Sequence, residues 1–378
     1  MYDLQMVDLK RQYHKIKPEI DVAIQGVIDS TAFIKGEDVS AFANELASYL
    51  DVKHVIPCGN GTDALQIILM ALGLQPGDEV ITPSFTYMAT VEVVALLRLT
   101  PVFVDVDADT FTMNIDSVRN AITEKTKAII PVHLYGQSVD MEPLLELAAM
   151  YNIPIIEDNA QAIGGNYSFA NGRTVKTGTM GLAGSTSFFP SKTLGCYGDG
   201  GAMFTNDDGL AEKLRMIANH GQKVRYTHEV VGCNSRLDSI QAAILRVKLK
   251  YLDDYCLARR TAADFYDDAF REYEYIVTPY RAPYSDHVFY EYTILLRNVN
   301  RDMLMKELAA RNIPSQLYYP LPCHKQPVIK SLDLPEYNLP VTDMLQDCML
   351  SLPMHTELTD KELAYICDNI IEIAQRIV

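Results

Sequence analysis

The chain is short of positive charge. Its 378 residues carry 33 Lys and Arg against 49 Asp and Glu, a formal net charge of −16 at pH 7. Nucleic-acid binders concentrate basic side chains to neutralise phosphates, so this balance argues against one. An anionic small substrate stays open, because a local pocket can oppose the sign of the whole surface. Paired cysteines are missing too. The seven present (Cys58, Cys196, Cys233, Cys256, Cys323, Cys348, Cys367) are odd in number and contain no Cys-x-x-Cys pair. That excludes a disulfide framework and a zinc motif, and predicts free thiols in a reducing compartment. No apolar run approaches the ~20 residues that cross a bilayer; the stretch over 91–97 is among the longest. Met1-Tyr2-Asp3-Leu4-Gln5 has neither the basic nor the apolar region of a signal peptide. Repeats and low-complexity segments are absent as well. A soluble, cytoplasmic protein with no membrane or nucleic-acid partner is the expectation.

What is present is an alternation of short apolar runs and helical patterns. Strands are expected over 54–57, 79–82, 101–106, 128–132 and 154–157, with helices over 62–72, 90–97, 116–122 and 141–151 between them. Continuous apolar strands separated by helices predict an α/β domain with a mostly parallel sheet covered on both faces. Beyond Asn206 the pattern changes: helices over 209–219, 239–252 and on to about 273, a strand-like piece over 288–296, and helices over 302–311 and 360–376. This predicts a large domain over 1–250 and a smaller C-terminal α+β domain over 251–378.

In an open α/β sheet, ligands bind at the carboxyl ends of the strands, and three such loops carry chemistry. Cys58-Gly59-Asn60-Gly61-Thr62-Asp63-Ala64 offers glycines and a helix N-terminus to a phosphate. The same loop can be read as a turn with an N-cap. It also matches Gly-x-Gly-x-x-Ala, with Asp78-Glu79 downstream, which supports a rival nicotinamide oxidoreductase. Second, Glu157-Asp158-Asn159-Ala160-Gln161 puts an acid at a strand end, where burial is costly without a cationic partner. Such a partner can be a protonated ring nitrogen; the alternative is a solvated loop acid. Third, Lys192 sits between Ser187-Phe188-Phe189-Pro190-Ser191 and a glycine run ending at Gly200-Gly201. A desolvated lysine there suits Schiff-base chemistry, although an isolated lysine is usually a surface residue. Phosphate loop, acid and lysine together describe pyridoxal 5′-phosphate.

These residues resemble the DegT/StrS family of sugar aminotransferases, which have the fold-type I, aspartate aminotransferase-like architecture. The likeness spans nearly the whole chain. It includes Asp8-Leu9-Lys10, Phe33-Ile34-Lys35-Gly36, Asn60-Gly61-Thr62-Asp63-Ala64-Leu65, Pro83-Ser84-Phe85-Thr86-Tyr87, Glu157-Asp158-Asn159-Ala160-Gln161, and Ser187 to Lys192. His220-Gly221, Asn234-Ser235-Arg236-Leu237-Asp238, Gln241-Ala242-Ala243 and Ser351-Leu352-Pro353-Met354-His355 continue it. Around Lys192 and over 225–238 the wording is similar to the family's UDP-2-acetamido-2-deoxy-3-oxo-glucuronate 3-aminotransferases of O-antigen synthesis. Its dTDP-3-keto-hexose enzymes share the Asn-Ser-Arg-Leu-Asp segment.

The resemblance implies that Lys192 bonds the cofactor and shuttles the proton. It implies that Asp158 holds the ring nitrogen, that Gln161 and Tyr87 cover the two ring faces, and that Gly61, Thr62 and Ser187 bind the phosphate. Asn234 is then supplied from the second subunit of a homodimer with shared active sites. L-Glutamate is the implied amino donor and a nucleotide-linked 3-keto sugar the acceptor, in a ping-pong transamination. Arg236 is the candidate for a sugar carboxylate, since a guanidinium fork matches it; an ion pair with Asp238 is the alternative. Tyr318, Tyr319 and His324 line the sugar cleft or pack within a proline-rich turn. Asn159 stands where alanine is common, and His324 where the glucuronate enzymes can have asparagine. Lysine at 192 argues against the family's dehydratases, which carry histidine. A dTDP-linked or C4-keto substrate and a non-catalytic regulatory member are the other readings.

Overall fold

The computed structural model describes residues 3–377; Met1 and Tyr2, at the head of the N-terminal stretch read above, and Val378 lie outside the described residues. Two helices come first, α1 (Leu9–Ser30) and α2 (Glu37–Leu50). The central sheet follows, built from β1 (His54–Cys58), β2 (Glu79–Pro83), β3 (Thr100–Val104), β4 (Thr126–Ile129), β5 (Ile156–Asp158), β6 (Ala183–Ser187) and β7 (Gly201–Thr205). Its helices are α3 (Gly61–Leu72), α4 (Ala89–Leu96), α5 (Ile115–Ala121), α6 (Met141–Tyr151), α7 (Asp208–Ile217) and α8 (Ser239–Leu249). The strand order is β3-β2-β4-β5-β6-β7-β1, joined at β4 and β5 by parallel bridges Ile129–Ile155 and Val132–Asp158. The expected parallel sheet is therefore found, with β7 as the antiparallel member.

Neighbouring strand residues feed opposite layers, as the pleat requires. Ile56, Val80, Ala128, Ile156 and Met203 pack with α3, α4 and α7. Their neighbours Val55 and Phe204 join α2 and α8 on the other face, where Ile81, Ile129 and Ile155 meet α5 and α6. Both faces are covered, which is why the strands read as unbroken apolar runs.

The elements from residue 252 onward build another core. They are α9 (Leu252–Phe270), β8 (Ile276–Val277), β9 (Tyr292–Leu296), α10 (Arg301–Ala310), α11 (Pro340–Cys348), β10 (Met349–Leu352) and α12 (Asp360–Ile377). β8, β9 and β10 form an antiparallel sheet, and Leu4 joins its core from the N-terminal segment. Residues 318–345 turn back onto the large sheet, where Cys323, Ile329 and Leu339 pack with Val91 and Phe103.

Three sequence expectations need correction. α1 and α2 were not anticipated, although Phe42, Leu46 and Leu50 recur every fourth residue and all are buried. Asp8 caps α1 by accepting the Arg11 N–H at 2.8 Å. The strand expected over 288–296 starts only at Tyr292. Before it, Val288 donates its N–H to Gly136 and Phe289 takes a φ of 47°, so this piece docks on a turn instead of a ladder. Strands β7, β8 and β10 and helix α11 have no counterpart in the sequence reading. The α2 stripe yields a prediction: Leu46→Ala removes a fully buried side chain and lowers unfolding free energy by about 2–5 kcal/mol, measured by urea denaturation.

Candidate active site

β1, β2, β5 and β6 point the same way, so their carboxyl ends share one edge. β5 delivers two adjacent acids to that edge, and alternation separates their fates. Glu157 is fully buried and satisfied within the protein: it accepts N–H groups from Gly178 (2.8 Å), Met180 (2.6 Å) and Gly181 (2.6 Å). His133 adds a fourth contact at 2.9 Å. The Val139 N–H donates to His133 Nδ1, so Nε2 carries the proton toward Glu157. Asp158, 5% exposed, accepts the Thr90 hydroxyl at 2.8 Å and the Ala160 N–H at 3.1 Å. Among the described residues no cationic side chain pairs with it. A buried carboxylate held only by neutral donors suits a cation from outside the chain, and a protonated ring nitrogen fits. Asn159 turns away, donating to the Thr177 carbonyl at 3.0 Å.

The phosphate cup is equally specific. Asn60 caps α3 by accepting the Asp63 N–H at 2.8 Å, which leaves Gly61 and Thr62 in its first turn. A Cβ on Gly61 lies 2.8 Å from the Ser187 Cβ, so only glycine lets α3 approach the end of β6 this closely. Ser187 accepts the Phe189 N–H at 3.2 Å. Ser235 fastens the cup from below, accepting the Gly59 N–H at 2.9 Å and donating to Asp63 at 2.5 Å. Asn234, just before it, is exposed and bridges Asn219 through the backbone. The cup suits a phosphate monoester.

Lys192 follows β6 on a loop closed by its own N–H to the Phe189 carbonyl, 2.8 Å. Its Nζ lies 4.4 Å from the centre of the Tyr290 ring. Sequence reading missed Lys248, a buried lysine on α8 that donates to Gly195 O at 2.6 Å and so braces this loop. Burial pushes its amine down to about 8. Nothing but its place in an apolar helix signalled this. Gln161 accepts the Tyr135 N–H at 2.6 Å and donates to the Tyr319 hydroxyl at 3.0 Å, which fixes its amide. Tyr87, 59% exposed, lies 5.7 Å from the Tyr319 ring.

The remaining candidates separate. Arg236 is half-buried, on the same segment as Ser235, and forms no ion pair with Asp238 or another acid among the described residues. His324 is tied down: its Nδ1 lies 2.6 Å from the Ser84 hydroxyl, its N–H donates to the same oxygen, and burial lowers its pKa. Tyr319 faces Gln161 and Tyr87, whereas Tyr318 accepts the Tyr135 hydroxyl through its carbonyl.

Fold and site together define a pyridoxal phosphate-dependent aminotransferase. Residues 14–371 match the DegT/DnrJ/EryC1/StrS aminotransferase family, and the chain belongs to it. It is 47% identical to a pleiotropic regulatory protein of Geobacillus stearothermophilus, over 97% of both chains. It is 44% identical to the UDP-2-acetamido-2-deoxy-3-oxo-D-glucuronate aminotransferase of Pseudomonas aeruginosa, over 96% of this chain and 98% of that one. Among solved structures, the Bacillus subtilis protein NtdA with its cofactor PMP bound superposes with a TM-score of 0.91, at 29% identity. That match covers 99% of this chain and 86% of the other. The dinucleotide reading of the Gly59–Ala64 loop is thereby displaced.

The cup geometry yields a prediction. Gly61→Ala forces apart α3 and Ser187 and weakens pyridoxal phosphate binding about tenfold, ~1.4 kcal/mol, read by fluorescence titration of the apoprotein.

Proposed function

We propose that this enzyme transfers the amino group of L-glutamate to C3 of UDP-2-acetamido-3-oxo-glucuronate, in bacterial surface-polysaccharide (O-antigen) synthesis. The observation that carries this substrate is Arg236: a guanidinium with no acid partner among the described residues, on the segment that fastens the phosphate cup. A sugar carboxylate matches its fork. The name of the Pseudomonas relative agrees with it.

Pyridoxal phosphate, when bound, supplies an aldehyde that takes up amines and a ring that withdraws electrons as a proton leaves the adjoining carbon. The chain's own residues do the rest. Lys192 would hold the aldehyde, and its amine would serve as the base that takes the Cα proton of glutamate and as the acid that returns a proton to C3 of the sugar. Asp158, oriented by Thr90 and Ala160, keeps the ring nitrogen protonated. Gln161, fixed by Tyr135 and Tyr319, would cover one ring face, and Tyr87 the other. Gly61, Thr62 and Ser187 hold the phosphate. Tyr319 borders the sugar cleft, while His324 shapes it indirectly by tying the 318–345 segment to Ser84.

The working unit is a cytoplasmic homodimer, with Asn234 of the partner subunit completing each phosphate cup. Exposed apolar side chains support a second copy here: Val224, Tyr226 and Val231, the last 84% exposed, lie just before Asn234. The site keeps a lysine, an acid and a phosphate cup, so a purely regulatory role is not favoured.

The test is 2-oxoglutarate formation from L-glutamate with a panel of UDP- and dTDP-linked 3- and 4-keto sugars. Turnover of the UDP-3-keto-uronate is expected; turnover confined to dTDP-hexoses contradicts the substrate assignment. Arg236→Ala is expected to raise KM for the keto-uronate about 10- to 100-fold, with KM for glutamate little changed. An unchanged sugar KM removes the role.

A further inference from the structure

Tyr290 touches two consecutive residues of the Lys192 loop. Its hydroxyl is hydrogen-bonded to that of Ser191 at 3.3 Å, and its ring centre lies 4.4 Å from Lys192 Nζ. That separation is inside the ~6 Å over which a ring face attracts an ammonium. Among the described residues Nζ enters no ion pair and no hydrogen bond, so this ring is what meets the amine. Tyr290 is itself 8% exposed. A buried ring tied at its hydroxyl to Ser191 is not free to swing away from the next residue.

The backbone beneath the ring is fixed as well. Arg259 of α9 is buried and donates through Nη1 to the carbonyls of Phe289 (3.2 Å), Tyr290 (3.1 Å) and Met354 (3.0 Å). Residues 288–291 also dock on the turn over 134–136. Val288 donates to the Gly136 carbonyl at 3.0 Å and Glu291 to that of Tyr135 at 3.4 Å. Gly136 has a φ of 99°, and a Cβ there lies 2.6 Å from Val288 Cγ2 and 3.0 Å from the Tyr290 nitrogen. Only glycine lets the two segments approach so closely. The same turn donates the Tyr135 N–H to Gln161 at 2.6 Å. One turn thus sets the positions of both Gln161 and Tyr290.

We propose that Tyr290 is a positioning residue: its ring face seats the Lys192 amine whenever that amine is not bonded to pyridoxal phosphate. The proposal rests on Lys192 being the lysine that bonds the cofactor. A lysine amine rides on a flexible four-carbon stem, and a base that takes and returns a proton is effective only when held near the carbon concerned. A carboxylate at this place would strongly favour the charged amine. A neutral ring face positions the amine with a smaller bias toward either state.

The first test needs no cofactor. The apoprotein is reductively methylated with isotope-labelled formaldehyde, and the Lys192 NMR signal is identified by its loss in Lys192→Arg. Ring currents are expected to move that signal upfield of the other lysines. The displacement persists in Tyr290→Phe and vanishes in Tyr290→Leu. A Lys192 signal that coincides with the other lysines in the wild type, or stays displaced in Tyr290→Leu, overturns the proposal.

The second test follows single turnovers of the cofactor-loaded enzyme with L-glutamate. Tyr290→Leu is expected to slow the step about tenfold at saturating glutamate, with the half-saturating concentration little changed. Tyr290→Phe recovers most of that loss. Glutamate deuterated at Cα shows a larger isotope effect in Tyr290→Leu than in the wild type, because proton transfer has slowed. A rate and isotope effect unmoved in Tyr290→Leu, with only the urea midpoint lowered, overturn the proposal. A visible cofactor band retained by Lys192→Ala overturns the assignment of Lys192 instead.

Discussion

The site depends on a carboxylate that the fold buries and, among the described residues, leaves without a cation. β5 ends in Glu157 and Asp158, and the pleat sends them in opposite directions. Glu157 receives three backbone N–H groups and His133, a set that satisfies its charge and locks the loop over 178–181 to the strand. Asp158 receives only a hydroxyl and one N–H. Satisfying the first acid within the protein holds the second at the mouth of the sheet, where its charge is available to a ligand. Burying an ionised carboxylate is costly unless it is paired, so Asp158, held by neutral donors alone among the described residues, suits a cationic ring.

The other groups are arranged around that charge by short loops on rigid strands. The cup at Gly61 exists because β1 and β6 end at the same edge of the sheet, one on each side of β7, and a glycine allows α3 to touch Ser187. The Lys192 loop is held from its own side by Phe189 and from beneath by Lys248. One lysine is thus buried beneath the loop, while Lys192 is half-buried with its amine over the Tyr290 ring. Gln161 cannot rotate freely, since both ends of its amide are engaged. Preorganisation of this kind means that little motion is needed to align cofactor and substrate.

Much of this was legible in the sequence because it is local. Strand-loop-helix order, glycines at the cup, the acid at the end of β5 and the glycines after Lys192 all lie within single segments. Contacts that join distant segments left no such trace. The antiparallel course of β7 depends on its neighbours β6 and β1, not on its own residues. His324 reads as a cleft histidine until Ser84, far away in sequence, claims it. Arg236 gained interest from what it lacks, an ion pair with any acid among the described residues, although Asp238 stands two residues away. Lys248 looks like an ordinary helix lysine; only its burial against the Lys192 loop gives it weight. The helices α1 and α2 were readable in principle, from the four-residue spacing of Phe42, Leu46 and Leu50.

The account turns on Lys192 and Asp158 together holding pyridoxal phosphate in a state that accepts an amino group. An absorption spectrum of the purified protein, before and after L-glutamate, tests that most directly. A visible band that moves into the near ultraviolet with the amino donor, and is missing from Lys192→Ala, is the predicted result. A protein that stays colourless after addition of pyridoxal phosphate, or whose band ignores every amino donor, contradicts it.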